Sequence, residues 1–128
     1  MTAPPPSIRS YEVRAETTAT FGRVLASARD QHFVVDGPVQ NGCPGEAPTP
    51  PEIFLGGVAC CGAELIQVIA RDDGVPVTRV AVRARGTVDR GNQPRGDVTV
   101  FSSLTLDIAI TGADAARAAA LVEGFKRR

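Results

Sequence analysis

The stretch TPPEIFLGGVACCGAELIQVIARDDG, residues 49–74, decides the fold. Thr49 and, three positions later, Glu52 form a capping box, and the two prolines between them occupy first-turn positions where a missing N–H costs nothing. Gly74 is a typical residue to follow a helix C-terminus. The pattern therefore predicts one long helix from about Pro51 to Asp73.

After Glu52 the first half of this helix carries no charge. From Ile53 to Ala63 the sequence IFLGGVACCGA is apolar or small on every side. A helix of that kind must be buried all round, which a small domain achieves with difficulty on its own. Gly56, Gly57 and Gly62 would allow another backbone to approach closely. We therefore expect a homodimer in which a second subunit covers the helix.

Three short strands precede the helix. Residues 1–7 are proline-rich and predicted to be a disordered tail, and residues 8–128 are expected to form a single domain. Period-2 alternation over Tyr11–Glu16, an apolar stretch over Phe21–Ser27 and the β-branched run Gln31–Asp36 favour strands. Together they predict a three-stranded antiparallel sheet.

Two long strands and a second helix follow. Residues 37–51 form a loop dense in Gly and Pro. Alternating patterns over Val77–Val88 and Val98–Thr111 flank the polar turn Asp89–Asp97 and predict a β-hairpin, and an Ala-rich helix closes the chain. The order β-β-β-α-β-β-α lacks βαβ alternation, so the expected fold class is α+β.

Composition excludes several classes of partner. Fourteen basic and fourteen acidic residues give a net charge of zero, so no nucleic acid partner is expected. No apolar run approaches the roughly 18 to 20 residues of a membrane span, so no membrane partner is expected either. Familiar cofactor and hydrolase motifs are absent from the sequence, and no cofactor is expected.

The three cysteines are Cys43, Cys60 and Cys61. An odd number with two adjacent, and no secretory start, favours a reducing cytoplasm over a disulfide framework. Adjacent helical cysteines point about 100° apart, which disfavours a metal site with His32, and no metal is expected. His32 is the only histidine and lies on a predicted strand rather than beside a candidate serine, which disfavours a Ser-His-Asp hydrolase.

The helix thiols have two interpretations. Cys60 and Cys61 are either small buried hydrophobes or the site of thiol chemistry. A reactive thiol inside an apolar helix needs a nearby cation to stabilise the thiolate. Arg23 and Arg29 on the N-terminal sheet are the candidates, and the residues alone do not choose between them.

The segment Pro48–Gly62 (PTPPEIFLGGVACCG) resembles the signature of the OsmC/Ohr family, the osmotically induced and organic hydroperoxide resistance proteins. Ala28–Pro38 (ARDQHFVVDGP) also resembles a strand of that family, and the resemblance spans about Tyr11 to Arg128. It implies an intertwined homodimer with two long helices at its centre and an active site where the subunits meet.

The resemblance also implies a chemistry. It places the family cysteine at Cys61, where the thiol attacks an organic hydroperoxide and becomes a sulfenic acid. In the family a second, resolving cysteine from a later helix then forms a disulfide with it, and a thiol reductant restores both. Glu52 is the matching carboxylate, and Arg23 or Arg29 the matching arginine. On an ideal helix the step of nine positions from Glu52 to Cys61 turns about 900°, placing the two on opposite sides.

Three possibilities follow from the chain ending at Arg128, where the family's resolving cysteine would come. The chain belongs to a longer protein and lacks a C-terminal segment, Cys43 or Cys60 resolves instead, or the protein is not a two-cysteine peroxidase. Ile53, Phe54 and Phe33 are expected to shape a substrate pocket. The alternative function is a non-catalytic dimer that binds a small apolar ligand in its interface cleft.

Overall fold

The computed structural model describes residues 7–128 and has an α+β architecture. Of the expected N-terminal tail, residues 1–6 lie outside the described residues. The elements in chain order are β1 (Arg14–Thr17), β2 (Arg23–Ala28), β3 (Gln31–Asp36), a 3-10 turn (Val39–Asn41), α1 (Pro50–Asp72), β4 (Arg79–Thr87), β5 (Ser103–Thr111) and α2 (Ala115–Lys126).

The N-terminal sheet is antiparallel with the order β1-β2-β3. β3 has the predicted bounds. β1 begins at Arg14 rather than near Tyr11, because Arg14 already pairs with Ser27 and β2 ends one residue later. Residues before Arg14 therefore run past the end of the neighbouring strand, and Tyr11 is 87% exposed.

α1 begins and ends as its sequence predicts, to within one residue. At the N-terminus the Thr49 N–H donates to Glu52 Oε1 at 3.0 Å, as in a capping box. At the C-terminus Gly74 adopts a left-handed φ of 68°, and the Val75 N–H donates to the Ala70 carbonyl at 2.8 Å. This turn satisfies a free carbonyl of the last helical turn and redirects the chain toward β4.

The hairpin is shorter than predicted on one side. β4 and β5 pair over their whole length, from Arg79 with Thr111 to Thr87 with Ser103. The expected strand start at Val98 is wrong because a turn side chain intervenes: Gln93 Oε1 accepts from the Val100 N–H at 2.8 Å. The Val100 backbone therefore bonds to the turn, and pairing with β4 starts only around Ser103, where the Ser102 N–H donates to the Thr87 carbonyl at 2.7 Å.

The hydrophobic core lies between α1, α2 and the hairpin. Its buried members are Ile66, Ile69 and Ala70 of α1 and Leu121 of α2. Positions i, i+3 and i+4 form one helix face, so α1 presents this face to the core. α2 starts at the N-cap Asp114, whose carboxylate accepts from the Arg117 N–H at 2.8 Å.

Much of α1 is uncovered within the chain. Its most apolar window of 18 residues has a mean hydropathy of 1.9, and only 22% of that window is buried. The expectation that no apolar run approaches a membrane span is therefore wrong on length and composition, since α1 satisfies both. The core helix of a soluble protein passes the same test, so these two properties do not separate the cases.

The chain divides into two compact units, Met1–Ile53 and Phe54–Arg128. The first contains the three-stranded sheet and the following loop. The second contains most of α1, the hairpin and α2. The single domain expected over residues 8–128 stays a prediction.

Candidate functional site

The two adjacent thiols lie on the exposed surface of α1. Cys60 and Cys61 are both free and both exposed within the single chain, so they do not pack in its interior, and their burial by a second copy stays a prediction. Gly62, the next residue, is buried: a Cβ there would lie 3.3 Å from Phe125 Cζ. The helix therefore turns its glycine toward α2 and its thiols outward.

Cys60 opens onto a cleft between α1 and the start of β4. The cleft has a volume of about 280 Å³. Its lining residues are Cys60, Ala63, Glu64, Gln67, Val77, Arg79 and Val80. No pattern in the sequence indicated this cleft, because it depends on the Gly74 turn bringing β4 alongside α1.

Arg23 is bound to a buried carboxylate at the end of β3. Its Nε donates to Asp36 Oδ1 and its Nη2 to Asp36 Oδ2, both at 2.9 Å, and Nη2 also donates to Glu46 Oε1 at 3.2 Å. Asp36 is fully buried, whereas the Arg23 side chain is 32% exposed. The hydrogen bonds that Arg23 donates, first to Asp36 and then to Glu46, raise its pKa above the ordinary value.

Asp36 also holds the loop that follows it. Besides Arg23, its Oδ2 accepts from the backbone N–H groups of Glu46 at 3.0 Å and Ala47 at 2.8 Å. The Arg23 hydrogen bond, followed by the Ala47 N–H, holds the pKa of the Asp36 carboxyl well below its usual range. Sequence reasoning missed this cluster, although an Asp between a strand and Gly37-Pro38 was a visible signal.

Glu52 is engaged by its own helix terminus. Its Oε1 accepts from the Thr49 hydroxyl at 2.7 Å and from the Thr49 N–H at 3.0 Å. These bonds, the hydroxyl first, lower the pKa of Glu52. Within residues 7–128 Glu52 makes no salt bridge, so the structure does not join it to Arg23 or Arg29.

Arg29 lies in the two-residue turn between β2 and β3. Ala28 pairs with Gln31, and Arg29 adopts a left-handed φ of 55° between them. Its carbonyl accepts from Arg14 Nη2 at 3.4 Å, while its own side chain is exposed. The two candidate arginines thus differ: Arg23 is held by carboxylates and Arg29 projects from a turn.

Cys43 is packed into the N-terminal unit. It is half-buried, and its Sγ lies so close to Gly22 and Gly37 that a Cβ added at either glycine would clash with it. The Gly37 N–H donates to the Gly22 carbonyl at 2.8 Å, which closes this small site. The role of Cys43 as a resolving residue stays a prediction.

The side chains expected to shape a substrate pocket are only partly covered. Phe54 is 57% exposed and stacks on Phe101 with ring centroids 5.6 Å apart. Ile53 and Phe33 are also exposed, and the cleft beside Cys60 is lined by other side chains. Their assignment to substrate binding stays a prediction.

A serine does lie beside the only histidine. Ser27 pairs with His32 across β2 and β3, and Ser27 Oγ is 2.7 Å from His32 Nδ1. The sequence expectation on this point was wrong, because the two-residue turn fixes a register that pairs these residues. In the part of the chain that the structure describes, no group of three His, Cys, Asp or Glu residues is placed to hold a metal.

Comparison with solved structures shows that the fold is shared with OsmC-like proteins. An OsmC-like protein from Mycoplasma pneumoniae superposes with a TM-score of 0.79 at 13% identity, over 94% of this chain and 82% of that one. An organic hydroperoxide resistance protein from Elizabethkingia anophelis gives 0.74 at 14% identity, over 94% and 84%. The Legionella pneumophila organic hydroperoxide resistance protein OsmC gives 0.63 at 19% identity, over 95% and 85%.

Sequence comparison supports the same relationship. No curated protein matches this sequence significantly. The family model described as OsmC-like protein matches residues 43–128, a segment that contains both helix thiols, α1, the hairpin and α2. Because this match covers more than half of the 128 residues, the chain belongs to the OsmC-like protein family.

Proposed function

We propose that this chain is a thiol-dependent peroxidase that reduces organic hydroperoxides, with Cys61 as the nucleophile. One observation carries the proposal: the family match contains Cys61, and that thiol is exposed on α1. The Elizabethkingia and Legionella neighbours are organic hydroperoxide resistance proteins, which supports this substrate class. We expect the reaction to take place in the cytoplasm, where thiol reductants are plentiful.

The chemistry proceeds in two stages. The Cys61 thiolate attacks the terminal oxygen of the hydroperoxide, the O–O bond breaks, and the products are a sulfenic acid and, after proton uptake, an alcohol. A reductant thiol then displaces water from the sulfenic acid to give a mixed disulfide. A second thiol breaks that disulfide and restores the Cys61 thiol.

The peroxidase needs a cation that stabilises the Cys61 thiolate, and Arg23 and Arg29 are the two proposed sources of that positive charge. Arg23 forms salt bridges with Asp36 and Glu46, whereas the Arg29 side chain forms no salt bridge within residues 7–128. Each arginine is replaced by Gln, and the rate of Cys61 oxidation by hydroperoxide is measured in both variants. The variant with the lower rate identifies the arginine that stabilises the thiolate. A rate that falls in neither variant removes both from the proposal.

A homodimer forms part of the proposal. The N-terminal part of α1 exposes Ile53 and Phe54, and a Cβ added at Gly56 or Gly57 would meet nothing within 4 Å. Such a surface of small and apolar residues suits close approach of the same helix from a second copy.

The test compares two adjacent thiols. Cys61→Ser is expected to abolish peroxide consumption with a dithiol reductant, because the attacking sulfur is removed. Cys60→Ser is the matched control and should keep most of the activity. Equal loss in both variants, or an inactive parent chain, would contradict the assignment.

The alternative is a non-catalytic dimer that binds a small apolar ligand. The exposed apolar side chains Ile53, Phe54 and Phe33 favour it. Titration with a thiol reagent separates the two functions. If Cys61 becomes half-reactive only near or above about pH 8.5, the ordinary value for a thiol, its thiolate is not stabilised and the alternative is favoured.

A further inference from the structure

The cleft beside Cys60 brings together groups that the peroxidase proposal does not use. Cys60, Glu64 and Gln67 follow one another at i, i+4 and i+7, so they share one face of α1. Across from them, Arg79 and its neighbours form the start of β4. A thiol, a carboxylate, an amide and a guanidinium therefore line one opening.

The two charged groups of the cleft are not paired. Within residues 7–128 neither Glu64 nor Arg79 forms a salt bridge, although other exposed Arg and Asp side chains of the hairpin do, such as Arg85 with Asp107 at 2.9 Å. Two opposite charges are thus left available around the same space. That space, about 280 Å³, suits a molecule smaller than a typical drug.

The apolar part of the lining comes from both walls of the cleft. Val77 and Val80 of the β4 side and Ala63 of α1 contribute it, while the charges stand at the rim. A ligand that fits must combine a carboxylate for Arg79, an ammonium for Glu64 and a short apolar linker. An α-amino acid has this combination, and the thiol of Cys60 adds sulfur chemistry to it.

We propose that this cleft binds sulfur-containing α-amino acids in their disulfide form and that Cys60 is the residue they modify. The guanidinium of Arg79 binds the carboxylate, the carboxylate of Glu64 binds the ammonium group, and the Gln67 amide bonds to either. The side-chain sulfur of the ligand then lies against Cys60. The proposal does not depend on the chemistry of Cys61.

The modification is a thiol–disulfide exchange. Cys60 loses its proton and its sulfur attacks one sulfur of the ligand disulfide, R–S–S–R. The Cys60–S–S–R bond forms, the ligand S–S bond breaks, and the departing RS⁻ takes up the proton. The protein sulfur is oxidised and half of the ligand is reduced, and an excess of free thiol reverses the step.

The test uses disulfides that differ only in charge. The full native chain is treated with L-cystine, with cystamine, which lacks the carboxylates, or with dithiodipropionate, which lacks the amines. After acid quenching, peptide mass mapping gives the rate of modification at each cysteine. Cystine should modify Cys60 roughly tenfold faster than either analogue, since only it engages both charges.

Two variants should give a crossed pattern. Arg79→Gln is expected to slow cystine and dithiodipropionate but not cystamine, and Glu64→Gln to slow cystine and cystamine but not dithiodipropionate. Arg83→Gln, an arginine of the same strand outside the cleft, is the matched control and should change nothing. A crossed pattern distinguishes lost recognition from a general folding defect.

Three results would overturn the proposal. Equal rates with all three disulfides would show that the charges do not select the ligand. A preference for cystine over both analogues at Cys43 or Cys61, and not at Cys60, would place the amino acid site elsewhere. Modification of Cys60 only after denaturation would show that the cleft is closed in the native protein.

Discussion

At the scale of single residues, the most connected side chain is Asp36. One fully buried carboxylate accepts hydrogen bonds from the Arg23 side chain and from two backbone N–H groups of the loop at Glu46 and Ala47. A buried carboxylate is tolerated because both of its oxygens accept hydrogen bonds in this cluster. Asp36 therefore joins the sheet to the loop that carries Cys43.

Replacing Asp36 is expected to destabilise the chain strongly. Asp36→Asn removes the negative charge opposite Arg23 and exchanges an acceptor oxygen for a donor facing N–H groups. The melting temperature, followed by circular dichroism, should fall by about 5 °C or more. Asp30→Asn, in the exposed turn before β3, is the matched control and should leave it nearly unchanged.

The effect of Asp36 should depend on pH. Its pKa is depressed in the folded chain, so its contribution is fully present above the ordinary carboxyl pKa of about 3.9 and is lost as the pH falls toward the folded value. The difference in melting temperature between the parent and Asp36→Asn should therefore be nearly constant from pH 6 to about pH 5 and shrink from about pH 4 to pH 2.5. A difference that is constant over this range would contradict the assigned role of the charge.

At the scale of elements, the ends of α1 were predictable and the ends of the hairpin strands were not. The Thr49–Glu52 pair and Gly74 act through neighbours within five residues, so their signals are contained in the local sequence. β5 begins five residues later than its pattern suggests, because Gln93 bonds to the backbone at Val100. A side-chain contact across a turn leaves no periodic signal.

The C-terminal turn of α1 provides a stability test. Gly74→Ala is expected to destabilise the chain by about 1 kcal/mol, because a side chain is strained at a φ of 68° even though nothing lies within 4 Å of the added Cβ. Gly96→Ala, which also has open space but no positive φ, is the matched control. Urea unfolding measures both, and equal stabilities of the two variants would contradict the explanation.

The candidate site shows the same division between local and long-range signals. The helix thiols and the cap of α1 were identified from sequence because they lie in one continuous segment. The Ser27–His32 contact depends on strand register, and the Cys60 cleft depends on β4 returning alongside α1. Neither arrangement can be predicted from sequence without knowing which residues the turns bring together.

At the scale of the whole molecule, the uncovered side of α1 is the dominant feature. Hydrophobic residues of a stable soluble chain are normally removed from water, yet Phe54 is 57% exposed and Ile53 is 38% exposed. The proposed homodimer removes this conflict, because a second copy covers the same surface.

Gly57→Leu tests the dimer directly. The isolated chain has room for the new side chain and leucine favours the helix, so the fold should be kept while close approach of a second helix is blocked. Sedimentation at micromolar concentration should show a dimer for the parent and a monomer for the variant. Ala119→Leu, on the exposed surface of α2, is the control and should remain dimeric; a monomeric parent chain would contradict the proposal.

The packing of Cys43 against Gly22 and Gly37 has a practical consequence for chemical labelling. The space beside the two glycines holds Sγ but has no room for a maleimide attached to it. The thiols of α1, in contrast, are exposed in the single chain. Brief alkylation should therefore place a fluorophore on the helix and leave Cys43 unmodified. The native chain thus offers selective attachment on α1 without removal of its third cysteine.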